Sequence, residues 1–304
     1  MSAEGSKKAI VAALSANCGI AIAKFVGFAV TGSSSMLAEA VHSVADTANQ
    51  GLLLIGQRQA ARKADRLHPF GYGRDRYFYS FVVALVIFAL GSLFAIYEGI
   101  SKIRHPHHLE SALVAVIILA VAICLEAYSF ATAARESTPL KGTASWWQFI
   151  RNSRSPELPV VLLEDTGALV GLVLALAGVG LSELTGDPIW DGIGTLAIGI
   201  LLGIIAVILI VEMKSLLIGE GVTDSDEQTI VEVLASGASI DRVIHLKTQY
   251  LGPEELLVAA KVAVAPRSSA SDIAVAIDEA EAALRERIPA ARVIYIEPDL
   301  DRGD

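Results

Sequence analysis

The sequence predicts a bundle of six membrane-spanning helices followed by a small cytoplasmic α+β domain, and three observations carry that prediction. The 304 residues are 53% hydrophobic with a mean hydropathy of +0.55 and a formal charge of −9, too apolar for an ordinary soluble domain. Six apolar stretches, 9–30, 36–56, 77–100, 111–134, 158–181 and 189–211, each approach the ~20 residues that cross a hydrocarbon core. After residue 213 the long apolar runs stop and strand periodicity begins, which divides the chain into domains 1–213 and 214–304.

The first stretch carries Asn17 and Lys24, has full spanning length and lacks a clear small-residue cleavage site, so it is expected to stay as a helix. Asn17 and Lys24 share one helix face, a structural placement in which Lys24 snorkels or pairs with a carboxylate such as Glu39. The second stretch places His42 and Asp46 four residues apart on one face, and Asn49 joins them there. An ionisable side chain near the bilayer centre costs roughly 2.5–3.5 kcal/mol on insertion scales, so this polar face points to a ligand that offsets the cost. HPFGYG (68–73) reads as a rigid turn into the third stretch, with Pro fixing φ and Gly permitting the bend. Glu98 and Glu126 are expected near the ends of the third and fourth helices as interfacial or interhelical partners.

Between the fourth and fifth stretches, 138–159 carries Trp146 and Trp147 followed by basic residues, the pattern of a segment at the membrane interface. The fifth stretch places Glu164 and Asp165 about two turns inside a helix that starts near 158. The tail then reads as a helix over 224–236 opened by Asp224 or Ser225, strands over 243–251 and 255–264 joined at Gly252-Pro253, a helix over 270–287 and a strand over 291–298. The order αββαβ makes a two-layer domain, with helices on one face of the sheet, that suits dimerisation or regulation.

Charge fixes the sidedness. Lys7, Lys8, Arg58, Arg62, Lys63, Arg66, Arg74, Arg76, Arg135, Lys141, Arg151 and Arg154 fall on one side of the bundle, and only Lys102 and Arg104 on the other. The positive-inside rule therefore places both termini in the cytoplasm of a multi-pass protein of the cell (inner) membrane. The negative net charge argues against nucleic acid as a partner.

The two cysteines, Cys18 and Cys124, fall inside predicted helices, so a metal site must be built from His and carboxylates. His42, Asp46, Glu164 and Asp165 can assemble such a site between the second and fifth helices, and it suits a divalent transition metal, zinc first. The opposing reading is that these side chains only hydrogen-bond neighbouring helices, but such links commonly use Ser, Thr, Asn or Gln. Adjacent helical residues point about 100° apart. Glu164 and Asp165 therefore need not both bind, and Asp165 is the first choice. No GxxxxGK sequence suggests an ATP-driven pump, and no HExxH suggests a metalloenzyme. A membrane scaffold or metal sensor that dimerises through its tail is the alternative to a transporter.

The run TGSSSMLAEAVHSVADTANQGLLLIGQRQA (31–60), followed by DRLHPFGYGRDRYF (65–78), resembles the cation diffusion facilitator family of metal transporters. The resemblance covers nearly the whole chain. It implies a homodimer that exports divalent cations, zinc foremost with Co2+, Ni2+, Cd2+, Fe2+ or Mn2+ as other candidates, against protons, with no enzymatic activity and no bound cofactor. It also implies that the tail is a metallochaperone-like dimerisation domain.

Carried over by position, the family's transport site falls on His42 and Asp46 and on Val161 and Asp165. Val161 cannot ligate, so Glu164, Asn49 or a water completes the shell. A His at position 42 resembles zinc-preferring members, whereas Asp there is commoner in broader or manganese-transporting relatives. Two carboxylates and a neutral His balance a divalent cation, which makes Glu164 an outer partner or a proton carrier. Because metal needs neutral His and ionised carboxylates, protons compete at the same groups and can reset the cycle.

A second site in some relatives corresponds to Asp65, His68 and Tyr72. The tail site of zinc-binding relatives would use His245, but the last strand offers Tyr295 and Glu297 there, a poor binuclear site. His105, His107 and His108 read as a solvated loop on the outer side, with metal release as the rival reading.

Overall fold

The computed structural model describes residues 2–31, 34–106, 112–237 and 240–300. Backbone contacts divide the chain into two compact units, Met1–Arg58 with Arg76–Lys214 and Gln59–Asp75 with Ser215–Asp304.

The first unit holds α1 (Ser2–Thr31), α2 (Ser34–Ala60), α3 (Asp75–Arg104), α4 (Ala112–Lys141), α5 (Trp146–Asn152), α6 (Glu157–Thr185) and α7 (Ile189–Ile218). Several helices run past the apolar stretches that announce them. Helix α4 ends only at Lys141, before Gly142 in the left-handed region at φ 55°. Helix α6 likewise ends at Gly186, at φ 71°. The hydrocarbon limits the apolar run, whereas a residue free to adopt positive φ stops the helix.

Among the described residues, five helices are long and apolar enough to cross a membrane: α1, α3, α4, α6 and α7. Helix α2 has 27 residues, long enough at ~1.5 Å per residue, but it is less apolar. It buries Ser43, Asn49 and Gln50 within the unit.

Helix α4 packs against both α1 and α6. Helices α3 and α7 meet closely: a Cβ on Gly99 would stand 2.6 Å from the Leu196 backbone nitrogen, so a larger residue would force the helices apart. A π-helical segment over Ile87–Leu93 interrupts α3. Within it Ser92 Oγ donates to the Gly199 carbonyl at 2.8 Å. At the start of α3, Arg76 makes a bidentate pair with Glu157 at the start of α6, both side chains buried. Helix α5 is opened by a capping box between Ser145 and Gln148 and leaves Trp146 and Trp147 half exposed.

In the second unit α8 (Asp224–Ala235), β1 (Ile240–Gly252), β2 (Glu255–Val264), α9 (Ala270–Arg287) and β3 (Ala291–Asp299) realise the αββαβ order. Thr223, rather than Asp224 or Ser225, caps α8 by accepting from the Asp226 N–H at 3.3 Å. The sheet order is β1-β2-β3, with β1 and β2 antiparallel and β2 and β3 parallel. The parallel pairing needs a crossover, which α9 supplies. Ile230 and Leu234 of α8 and Ala280 and Leu284 of α9 share one core with Leu256, Val258, Ala260, Val262 and Ile294 of the sheet. The loop 59–75 belongs to this unit: a Cβ on Gly252 would stand 2.8 Å from the Gly73 Cα, so two glycines let the loop lie against the end of β1.

Candidate metal site

Helix periodicity brings polar side chains from six helices to one cavity of about 290 Å³ in the first unit. Helix α1 contributes Asn17 and Lys24, α2 contributes Ser43 and Asp46, α4 contributes Glu126, and α6 contributes Glu164 and Asp165. Apolar residues such as Phe94, Ile118 and Leu172 line it too, as do Glu98, Lys102, Asp191 and Thr195. There Lys102 Nζ lies 2.9 Å from Asp191 Oδ2 and 3.4 Å from Thr195 Oγ1. The acid beside Lys102 offsets its charge.

The two adjacent carboxylates of α6 are held differently. Asp165 is 2% exposed, and its Oδ2 accepts from Ser129 Oγ of α4 at 2.7 Å. Glu164 accepts from two amides of α2, Oε1 from Asn49 Nδ2 at 3.1 Å and Oε2 from Gln50 Nε2 at 2.6 Å. The carboxamide oxygens of Asn49 and Gln50 are buried without a hydrogen bond among the described residues. Asn49 thus offers its N–H to Glu164, whose two oxygens are both engaged. Val161 is fully buried and is absent from the cavity wall.

Glu126 departs from its expected place. It sits midway along α4 rather than near a helix end, because that helix continues to Lys141. Its carboxylate interacts electrostatically with Asp165 and Asp46 as like charges and with Lys24 as an opposite one. An ionisable residue in the middle of an apolar run was the signal available for it. Lys24 and Asn17, expected to be structural, also border the cavity, with Lys24 facing the field of Glu126. Glu98 lines the cavity nearer the end of α3.

The side chains of His42 and Glu39, and His107 and His108, lie outside the described residues. Among the described residues no three His, Cys, Asp or Glu side chains stand close enough to hold one ion. Asp46, Glu126 and Asp165 share a cavity without closing on a common point.

In the second unit Asp65 organises a turn. Its Oδ1 accepts from the backbone N–H groups of Leu67 at 2.9 Å and His68 at 2.8 Å, and its Oδ2 from Tyr72 OH at 2.6 Å. The Tyr72 hydroxyl first, then the His68 amide, lower its pKa to about 2. His68 Nδ1 is 3.6 Å from Asp65 Oδ1, and the Arg62 guanidinium lies over the Tyr72 ring. These contacts account for Asp65, His68 and Tyr72 as a turn. His245 is exposed on β1 opposite Lys261, whose ammonium lies 3.2 Å from both Glu297 and Asp299.

The model for the cation efflux transmembrane domain matches residues 10–218. The mouse (Mus musculus) proton-coupled zinc antiporter SLC30A9, mitochondrial, is 35% identical over 252 residues, 82% of this chain and 44% of the relative. Metal tolerance protein C4 of Arabidopsis thaliana is 32% identical over 252 residues, 82% of this chain and 55% of the relative. The chain thus spans about half the length of these curated relatives. A solved double variant of the MamM C-terminal domain is 20% identical with a TM-score of 0.25, covering 26% of this chain and 94% of that one. With its transmembrane helices matched almost from end to end, the chain belongs to the cation efflux, or cation diffusion facilitator, family of membrane transporters.

Proposed function

We propose that this protein exports a divalent transition metal, zinc foremost, from the cytoplasm in exchange for protons. The observation that carries the reading is that Asp46 and Asp165, from different helices of the bundle, line one cavity. Carboxylates that line one cavity between membrane helices favour a cation there, and a metal ion and protons are alternative ones. His42, four residues before Asp46 and so on the same face of α2, is the nitrogen donor that favours zinc over harder ions.

The cavity reaches toward the Lys102 end of α3, on the cation-poor side of the membrane. At the opposite ends of α3 and α6, the buried Arg76–Glu157 pair holds the helices together. This arrangement suits the outward-facing member of an alternating-access cycle, with both termini in the cytoplasm. The chain works as a homodimer joined through its α+β tail. The SLC30A9 relative is named a proton-coupled zinc antiporter, which agrees in substrate and coupling.

The test is zinc uptake into proteoliposomes holding the full chain. Asp46→Asn and Asp165→Asn should each abolish uptake while the protein stays folded and dimeric. Undiminished zinc flux in both variants would refute the assignment.

A further inference from the structure

We propose that Glu126 supplies the oxygen donor that position 161 lacks, so that α4 takes part in binding the transported metal. The inference rests on the reading of Asp46 and Asp165 as metal ligands and extends it to a third helix.

Three observations carry it. First, the Ser129 Oγ–Asp165 Oδ2 hydrogen bond turns one face of α4 toward the binding carboxylate of α6. Glu126 precedes Ser129 by three residues and therefore lies on that same face. Second, Glu126 is 6% exposed and borders the cavity, where two like charges, Asp165 and Asp46, and one opposite charge, Lys24, act on it. A buried carboxylate set among other carboxylates is matched to a cation. Third, the rival donor is engaged: both oxygens of Glu164 accept amide N–H groups from α2. Val161 is packed away from the cavity, so restoring a donor at that site would not meet the ion.

The charges are compatible. Asp46, Asp165 and Glu126 with a neutral His42 leave the zinc-bound site at one net negative charge, and Lys24, whose field acts on Glu126 from the same cavity, offsets it. The carboxylates do not converge on a common point in this structure, so zinc bonds of about 2.0–2.2 Å require α2, α4 and α6 to close around the ion. Closure of that kind belongs to an alternating-access cycle.

The experiment is zinc titration calorimetry on the full-length purified protein, paired with the visible spectrum of the Co2+ form, for wild type, Asp165→Asn, Glu126→Gln and Glu126→Asp. We expect Asp165→Asn to lose binding. Glu126→Gln should weaken zinc by more than the roughly 10–100-fold that follows loss of an outer partner, and should change the cobalt bands, which report the donor set. Glu126→Asp, which keeps a carboxylate, should recover part of the affinity. If Asp165→Asn loses binding while Glu126→Gln matches wild type in affinity and cobalt spectrum, Glu126 is not a ligand and the Asp46/Asp165 site stands. Should Glu126→Gln fail to fold, Glu126→Ala takes its place, and wild-type affinity and spectrum in that variant overturn the proposal in the same way. If Asp165→Asn itself binds as wild type, the underlying site reading falls and this inference with it.

Discussion

Replacing Glu157 by Ala should destabilise the membrane unit more than any surface charge change. Arg76 is 7% exposed and Glu157 1%, and two guanidinium nitrogens donate to the two carboxylate oxygens. An exposed pair of this type contributes about 0–1 kcal/mol. Removing one member of a buried pair leaves the other as an uncompensated charge, which costs about 3–5 kcal/mol. For a unit of this size each kcal/mol moves the melting temperature by about 2–4 °C, so Glu157→Ala should lower it by roughly 6–20 °C. The assay is thermal unfolding of the detergent-solubilised full chain, with Arg76→Met/Glu157→Met as companion. Removing both charges should return most of the loss, because no charge is then stranded. A shift under ~1 kcal/mol in Glu157→Ala, or a double variant no better than the single one, would refute the reasoning.

Three further outcomes are expected. Because its folded pKa is lowered from 3.8 to about 2, Asp65 stabilises the 65–72 turn above its ordinary value and loses that contribution as pH falls from 3.8 toward 2. Tyr72→Phe should raise the Asp65 pKa measured by carboxyl NMR titration, and an unchanged value would remove Tyr72 as the main cause. Gly252→Ala would place a Cβ 2.8 Å from the Gly73 Cα, so it should cost ~1–3 kcal/mol and speed amide hydrogen exchange in the 65–75 loop. Unaltered exchange would contradict that contact. Glu164→Gln should keep zinc binding within about 10–100-fold of wild type but shift the pH dependence of transport, whereas Asp165→Asn should lose binding. Equal losses in the two variants would make Glu164 a direct ligand.

Much of the architecture is written in local patterns. The membrane stretches and the αββαβ tail follow from apolar run length and strand periodicity, and the strand at 255–264 and the helix at 270–287 agree with β2 and α9 residue for residue. What was not legible depends on three-dimensional neighbours. Thr223 rather than Asp224 caps α8 because its hydroxyl reaches the Asp226 N–H. The π-helical segment in α3 answers to the packing of Ser92 on Gly199. Arg76 and Glu157 stand 81 residues apart, and no sequence spacing announces their pairing. In the site, helix periodicity placed His42 and Asp46 on one face and left the roles of Glu164 and Asp165 open. Only the long-range contacts of Asn49, Gln50 and Ser129 separate an engaged carboxylate from one buried against α4. Glu126 was visible as a charge in an apolar run, but its depth became clear only with the full length of α4.

The measurement that bears most directly on the central claim records zinc and pH together in sealed proteoliposomes holding the full chain, with dyes for both ions inside the vesicles. An outward-directed proton gradient should drive zinc inward with simultaneous alkalinisation of the lumen. Both signals should vanish in Asp46→Asn and Asp165→Asn. Zinc accumulation that ignores the proton gradient and leaves lumenal pH unchanged would contradict exchange for protons, and absence of any zinc movement by the folded wild-type protein would contradict transport itself.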